Sequence, residues 1–222
     1  MKKNIIVLVV FLLLVSLLIA AGTVKIRAKN IVGSKDQVYL TGDVYIEKEG
    51  EVSVETDEAT LLAKKGNWNY IVAEGSTYAL FSTGEATATF LEYNMDTSSG
   101  VMKGDVIASL KDDKGKQKLL VKNAAELDFN LDTEEFIGET LSKKDPAFKP
   151  VLIYYRDELE ARALYFEYHG KKGIFYLKGD VYIVDKKNNR TITASELTYN
   201  TTNDTFEGKD VYLEIILEEG EQ

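Results

Sequence analysis

"ITASELTYNTTNDTFEGKDVYL", residues 192–213, sets Ile, Ala, Leu and Tyr, then Phe, Val and Leu, on either side of an Asn-Thr-Thr-Asn-Asp cluster. β-Branched and aromatic residues favour strands, and Asn, Asp and Gly favour the tight turns that join them, so the stretch reads as strand, turn, strand. Just upstream, "FYLKGDVYIVDKK" at 175–187 repeats "VYLTGDVYIEKEG" at 38–50 almost letter for letter. At period-2 spacing, Leu40, Gly42, Val44 and Ile46 share one face, as do Leu177, Gly179, Val181 and Ile183. The opposite face carries Tyr39, Asp43 and Tyr45, or Tyr176, Asp180 and Tyr182. One face is aliphatic and the other wettable.

A second phrase, Ala-x-x-Leu-x-Tyr/Phe, recurs as Ala88, Leu91, Tyr93; Ala124, Leu127, Phe129; Ala161, Leu164, Phe166; and Ala194, Leu197, Tyr199, with a degraded copy at Thr56, Ala59 and Leu61. Successive copies lie 32 to 37 residues apart, which points to internal duplication. After each copy a glycine, at 75, 104, 138, 179 and 208, is expected to open the next strand. Leu and the aromatic share a face while Ala sits at odd spacing, so each copy requires a bulge or twist. A helix is the competing reading of "RDELEARALYFEY" at 156–168, but its alignment with the strand-forming copy at 194–199 favours strand. Short polar clusters such as "DTSSG", "KDDKGK", "HGKKG" and "DKKNN" supply turns, and "SKKDPAFKP" at 142–150 is read as a longer elbow within one sheet system. The expected fold is all-β.

Composition limits function. The chain of 222 residues has a formal charge of −9 and no cysteine, which excludes thiolate chemistry and disulfides and disfavours nucleic acid and anionic lipid surfaces. Its one histidine, His169, lies in "YHGKKG" and reads as a turn residue. The carboxylate pairs Asp112-Asp113, Glu134-Glu135 and Glu218-Glu219 fall in turns or the tail, where solvated charge is the default. No catalytic, cofactor or metal site is expected, and Asn189, Asn200 and Asn203 match the glycosylation sequon as Asn/Thr-rich turns do by chance.

At the N-terminus, Lys2 and Lys3 precede Ile5 to Ala21, seventeen residues interrupted only by Ser16. Residues 1–23 are expected to form a transmembrane helix that anchors residues 24–222 outside the cytoplasm; a signal peptide cleaved near Ala20-Ala21-Gly22 is the alternative.

The order "LKGDVYIVDKKNNRTITASELTYNTTNDTFEGKDVYLEI", 177–215, resembles the OstA-like repeat of the lipopolysaccharide transport family, in which Gly-Asp/Asn-Val is followed by Thr-x-Ala-x-x-Leu-x-Tyr and a polar turn. The resemblance spans about residues 36 to 215, and the N-terminal apolar run is closer in layout to the membrane-anchored LptC branch than to the soluble LptA branch. It implies a twisted β-jellyroll, open along one side, in the periplasm on a single inner-membrane span. It also implies lipopolysaccharide or another glycolipid as cargo, and an inner-membrane ABC transporter complex and a soluble jellyroll bridge as partners. The implied lipid-groove lining is Leu40, Val44, Ile46, Leu91, Leu127, Phe129, Leu164, Phe166, Leu177, Val181, Ile183, Leu197 and Tyr199, and the implied partner edge is a terminal strand containing Val211, Leu213 and Ile215. No enzyme activity is implied. An anchored envelope scaffold that carries no lipid is the competing function.

Overall fold

The computed structural model describes residues 23–64 and 66–216, so the expected anchor lies outside the described residues. Sixteen strands form one antiparallel sheet system: β1 Val24–Arg27, β2 Asn30–Gly33, β3 Gln37–Lys48, β4 Val52–Lys64, β5 Asn67–Phe81, β6 Gly84–Asn94, β7 Ser99–Lys111 and β8 Gln117–Asn130. The chain continues as β9 Glu135–Glu139, β10 Val151–Tyr155, β11 Leu159–Ala163, β12 Tyr165–His169, β13 Ile174–Asp185, β14 Arg190–Asn200, β15 Thr205–Lys209 and β16 Tyr212–Ile215. Within "RDELEARALYFEY", Leu159–Ala163 and Tyr165–His169 are strands where a helix was the competing reading, after a turn at 156–158 and with a break at Leu164.

The pairing registers show how the sheet folds upon itself. β1 pairs with residues 45–48 of β3 and β2 with residues 38–41 of the same strand. Likewise β8 pairs through 119–122 with β10 and through 126–130 with β9, while β13 pairs through 182–185 with β11 and through 174–178 with β12. At the far end β14 pairs through 190–193 with β16 and through 196–200 with β15. Each long strand therefore contributes one half to a first arm, which starts at β1 and ends at β16, and the other half to a second arm, which starts at β2 and ends at β15. The short strands are halves of strands that break where the long ones bend. The path is a meander of neighbours, folded lengthwise into a jellyroll-like sandwich.

The bend is written in the repeat. Between Thr41↔Glu58 and Val44↔Thr56, β3 carries one residue more than β4, and the same excess occurs between Lys178 and Val181 of β13. β7 has it between Lys103 and Val106. The residues concerned are Gly42-Asp43, Gly104-Asp105 and Gly179-Asp180, each followed by Val, and all six have positive φ. Of the glycines expected to open strands, Gly138 and Gly208 sit in regular register within β9 and β15, while Gly75, Gly104 and Gly179 lie inside strands at bulges that bend the strand and reverse its alternation. Glycine is required there for two reasons: φ is near +77° at Gly179, and a Cβ would come within 2.8 Å of Leu164 Cδ1. The bulge aspartates point outward and pair with lysines, Asp43 with Lys29 at 2.8 Å, Asp105 with Lys149 at 3.4 Å, and Asp180 with Lys143. The last two lysines belong to the 140–150 connection, which crosses the bend and is tied down on both sides of it.

The phase reversal satisfies the odd spacing of Ala-x-x-Leu: Ala88 and Leu91, Ala124 and Leu127, and Ala194 and Leu197 are all buried. The degraded copy behaves alike, with Thr56, Ala59 and Leu61 buried. Outward faces carry cross-strand Tyr–Glu pairs, including Tyr39–Glu58 and Tyr78–Glu85, both at 2.8 Å. Between the arms lies one apolar core, in which each fully buried Leu, Ile or Phe contributes about 1.5–3 kcal/mol.

Candidate functional site: the interior, its mouth and its two ends

Of the thirteen positions expected to line a groove, twelve belong to this core; Leu164 does not. β11 ends at Ala163, which faces inward with Ala161, and the chain breaks at Leu164 before β12 returns Phe166 to the interior. The Leu164 amide donates to Lys178 O and Gly179 O, at 3.1 and 3.0 Å, and its side chain covers the Gly179 bulge from outside. The motif spacing is unchanged, but here the phase reversal comes from a strand break, so Leu164 is a spine residue.

The interior is filled. The void bordered by Phe81, Met102, Leu119, Leu127 and Phe129 measures about 20 Å³, room for roughly one water molecule. Nor is the long side opposite the bend open, since rings from the two arms meet across it. Phe81 of the first arm lies 5.4 Å from Tyr93 and 5.5 Å from Phe129 of the second. Further along, Tyr155 of the first arm lies 5.9 Å from Tyr168 and 5.5 Å from Phe175 of the second. The expected open side is therefore a closed mouth, because inward-facing aromatics at the strand tips are long enough to span it.

The mouth has two unlike halves. Towards the C-terminus the arm tips are joined by polar links. Asp185, 2% exposed at the end of β13, accepts from Arg190 Nε at 2.7 Å and Tyr199 OH at 2.8 Å, and also from Asn188 N at 3.1 Å. Arg190 donates onward to Asp204 O at 2.8 Å and lies over the Phe206 ring. Because Asp185, Arg190 and Lys187 lie on the first arm's tips and Tyr199 and Asp204 on the second's, these bonds form a clasp, extended by Lys187–Asp204 at 2.8 Å and by Lys118–Glu134. Burial pushes the Asp185 carboxyl up, but hydrogen bonds from Asn188, Tyr199 and Arg190 outweigh it and hold the group below its ordinary range. Burial, with the bond to Asp185, pushes the Tyr199 phenol up to about 12.

In the N-terminal half, among the described residues, no hydrogen bond or ion pair crosses the mouth; the Thr56 hydroxyl, which donates to Glu74 O at 2.8 Å, joins the arms only at the bend. Instead buried polar atoms lack partners: Glu51 Oε1, Asn69 Oδ1, Thr83 Oγ1 and the Tyr93 hydroxyl, beside which Ser98 lies. Tyr168 in the other half also has an unpartnered hydroxyl, set among rings and next to Tyr155.

The sandwich ends expose apolar edges. Pairing of Ile26 with Ile46 and of Ile31 with Leu40 puts both inward at one end; pairing of Leu213 with Ile192 and of Phe206 with Tyr199 does so at the other. Ile31 is 55% exposed, Leu213 40% and Ile215 57%, because nothing stacks beyond them. The terminal strand is shorter than expected: Asp210, at φ 53°, breaks the chain, and Val211 precedes β16 as an exposed linker residue. Ile216 N donates to Asn189 O at 2.8 Å, so by alternation the Leu213 and Ile215 N–H groups point away from β14.

His169 ends β12 between Glu135 and Glu167, at 3.3 and 3.4 Å, and is half-buried where a turn residue was expected. The clasp was missed in the sequence: "DKKNNR" reads as a turn, and no spacing rule joins Asp185 to Tyr199. Phe81 and Tyr155 were legible only as in-phase residues of their strands.

No curated protein matches the chain. Among solved structures, that of LptH, the LptA homologous periplasmic component of the conserved lipopolysaccharide transport device from Pseudomonas aeruginosa, aligns over 88% of this chain and 96% of that one, with 10% identity and a TM-score of 0.25. A family model described as LptA/(LptD N-terminal domain) LPS transport protein matches residues 20–135, just over half of the chain. The chain belongs to that family.

Proposed function

We propose that this protein carries the acyl part of lipopolysaccharide or a related glycolipid between its arms and stacks end to end with other jellyroll domains. The observation that carries the reading is the pair of exposed, inward-facing apolar edges on a domain of this family. At the first end Val24 and Ile26 face inward and Lys25 and Arg27 outward; at the last, Leu213 and Ile215 face inward and Glu214 outward. An end-to-end contact through β1 and β16 therefore continues the interior and sets cations beside a carboxylate. In this reading residues 1–23 hold the protein to the inner membrane with the domain in the periplasm, as in the LptC branch. β1 then meets the ABC transporter complex and β16 the soluble bridge.

Leu213→Pro or Ile215→Pro removes an outward N–H that β14 does not use, so the domain should stay folded by circular dichroism while retention of a jellyroll partner is lost. Undiminished retention by a folded variant overturns the edge assignment. Full-length protein should remain in membranes after a carbonate wash; a soluble form starting near Thr23 would favour the bridge role instead. The filled interior favours a second reading, an envelope scaffold that carries no lipid. Saturable binding of an acylated probe by the full chain separates the two.

A further inference from the structure

The uneven mouth assigns a place for the lipid to enter. We propose that the arms part at the N-terminal half, between the tips of β3 to β7, and that the acceptor groups there receive hydrogen bonds from hydroxyl or amide donors where an acyl chain joins its head. The C-terminal half remains clasped. This rests on the lipid-carrying reading above.

Three observations converge on the same stretch. First, among the described residues the arm tips there meet through apolar contacts alone, Phe81 against Tyr93 and Phe129 above the shared core, whereas the other half is joined through Asp185, Arg190, Tyr199 and Asp204. The dispersion contacts of rings can be re-formed against an alkyl chain, while a buried charged network loses its partners when separated. Second, the interior void lies directly beneath, bordered by Phe81, Thr83 and Phe129. Third, the unpartnered atoms mark a polar rim on an apolar interior. Tyr93 is fully buried and Asn69 is 8% exposed. Asn69 must turn its Nδ2 to the Asp96 carboxylate, which fixes Oδ1 as a free acceptor. Glu51 keeps Oε2 on Lys48, leaving Oε1 free. Two of the four atoms are acceptors only, and Tyr93 and Thr83 can accept, so the rim suits a ligand that donates. It is poorly suited to phosphate, in keeping with the acidic chain. Native proteins seldom leave buried polar atoms unpaired, and a cluster of them at one seam marks a place where partners arrive from outside.

The absence of cysteine permits a direct test. Double variants Phe81→Cys/Tyr93→Cys and Tyr155→Cys/Tyr168→Cys in the full chain are tethered with a short bis-thiosulfonate and compared before tethering, after it and after reduction. The probe is N-dodecanoyl glucosamine with a fluorophore on the sugar. The 81–93 tether should weaken binding at least tenfold, reversibly, and the 155–168 tether less than twofold. Equal loss with both tethers, or greater loss with 155–168, overturns the portal while leaving lipid carriage intact. Failure of the wild-type chain to bind the probe overturns both. Should a double variant misfold, Tyr93→Phe decides: about five- to tenfold weaker binding of the N-acyl sugar with unchanged binding of fluorescent dodecanoate is expected. An equal effect on both probes, or on neither, overturns the proposed hydrogen bond.

Discussion

Tyr93 and Tyr199 occupy the same place in two copies of one repeat, each the last residue of Ala-x-x-Leu-x-Tyr and each at the second arm's tip. Tyr199 donates to a buried carboxylate that Arg190 also holds; the Tyr93 hydroxyl is buried without a partner. Duplication thus built two equivalent positions, and the turn opposite each one decided whether it became part of a lock. "DKKNNR" supplies an anion and a cation to its mouth, while the corresponding turn before β6 supplies the Phe81 ring, and the nearby Glu51 carboxylate is taken by Lys48 from its own arm. The two halves of the same seam are therefore held by different kinds of contact.

The largest test of that contrast is Asp185→Ala, which leaves Arg190 buried without its carboxylate and should cost about 3–5 kcal/mol in urea unfolding at neutral pH. The sign of its pH dependence follows from the depressed folded-state value. Asp185 contributes fully above its ordinary value of 3.8 and loses that contribution as pH falls through the lower folded value. The gap between wild type and variant should therefore close under acid. A gap that widens below pH 3.8 would show that another group carries the clasp.

Tyr199→Phe removes one hydrogen bond to a charged acceptor and should cost about 1.5–3 kcal/mol. The spine provides an internal control, because Gly-Asp-Val bends the strand in both halves. Gly104→Ala and Gly179→Ala, at φ +84° and +77° with a neighbour inside contact distance, should each cost about 1–3 kcal/mol. A much larger cost at one of them would place the asymmetry in the bend as well as the mouth. The smallest effect belongs to Tyr93→Phe, which discards an unpaired buried hydroxyl and should leave stability unchanged or raise it by up to about 1 kcal/mol. If instead it matches Tyr199→Phe, the N-terminal half holds a hydrogen bond and the contrast fails.

Much of the architecture is legible in the sequence. The repeat of Gly-Asp-Val and Ala-x-x-Leu, turn-length polar clusters and period-2 faces give an all-β meander and place twelve of the thirteen named lining positions in its core, because alternation is a local property that burial on one face imposes on every strand. The odd Ala–Leu spacing even required a phase reversal. It did not reveal that the reversal lies opposite a bulge on the neighbouring strand, or that bulges in register across the sheet fold it into two arms. Leu164 shows the limit: its motif is intact, yet a broken strand turns it onto the spine, and only the pairing of β11 and β12 with different halves of β13 decides that.

The strands, the turns, the aliphatic face and the family's repeat follow from the order of residues alone, since each depends on neighbours within a few residues. Which tips face each other, that rings close the mouth, and that Asp185 meets Tyr199 while Tyr93 meets no such partner all come from the packing of the two arms. Those facts depend on the distance between two arms joined only at the bend, which no local pattern encodes.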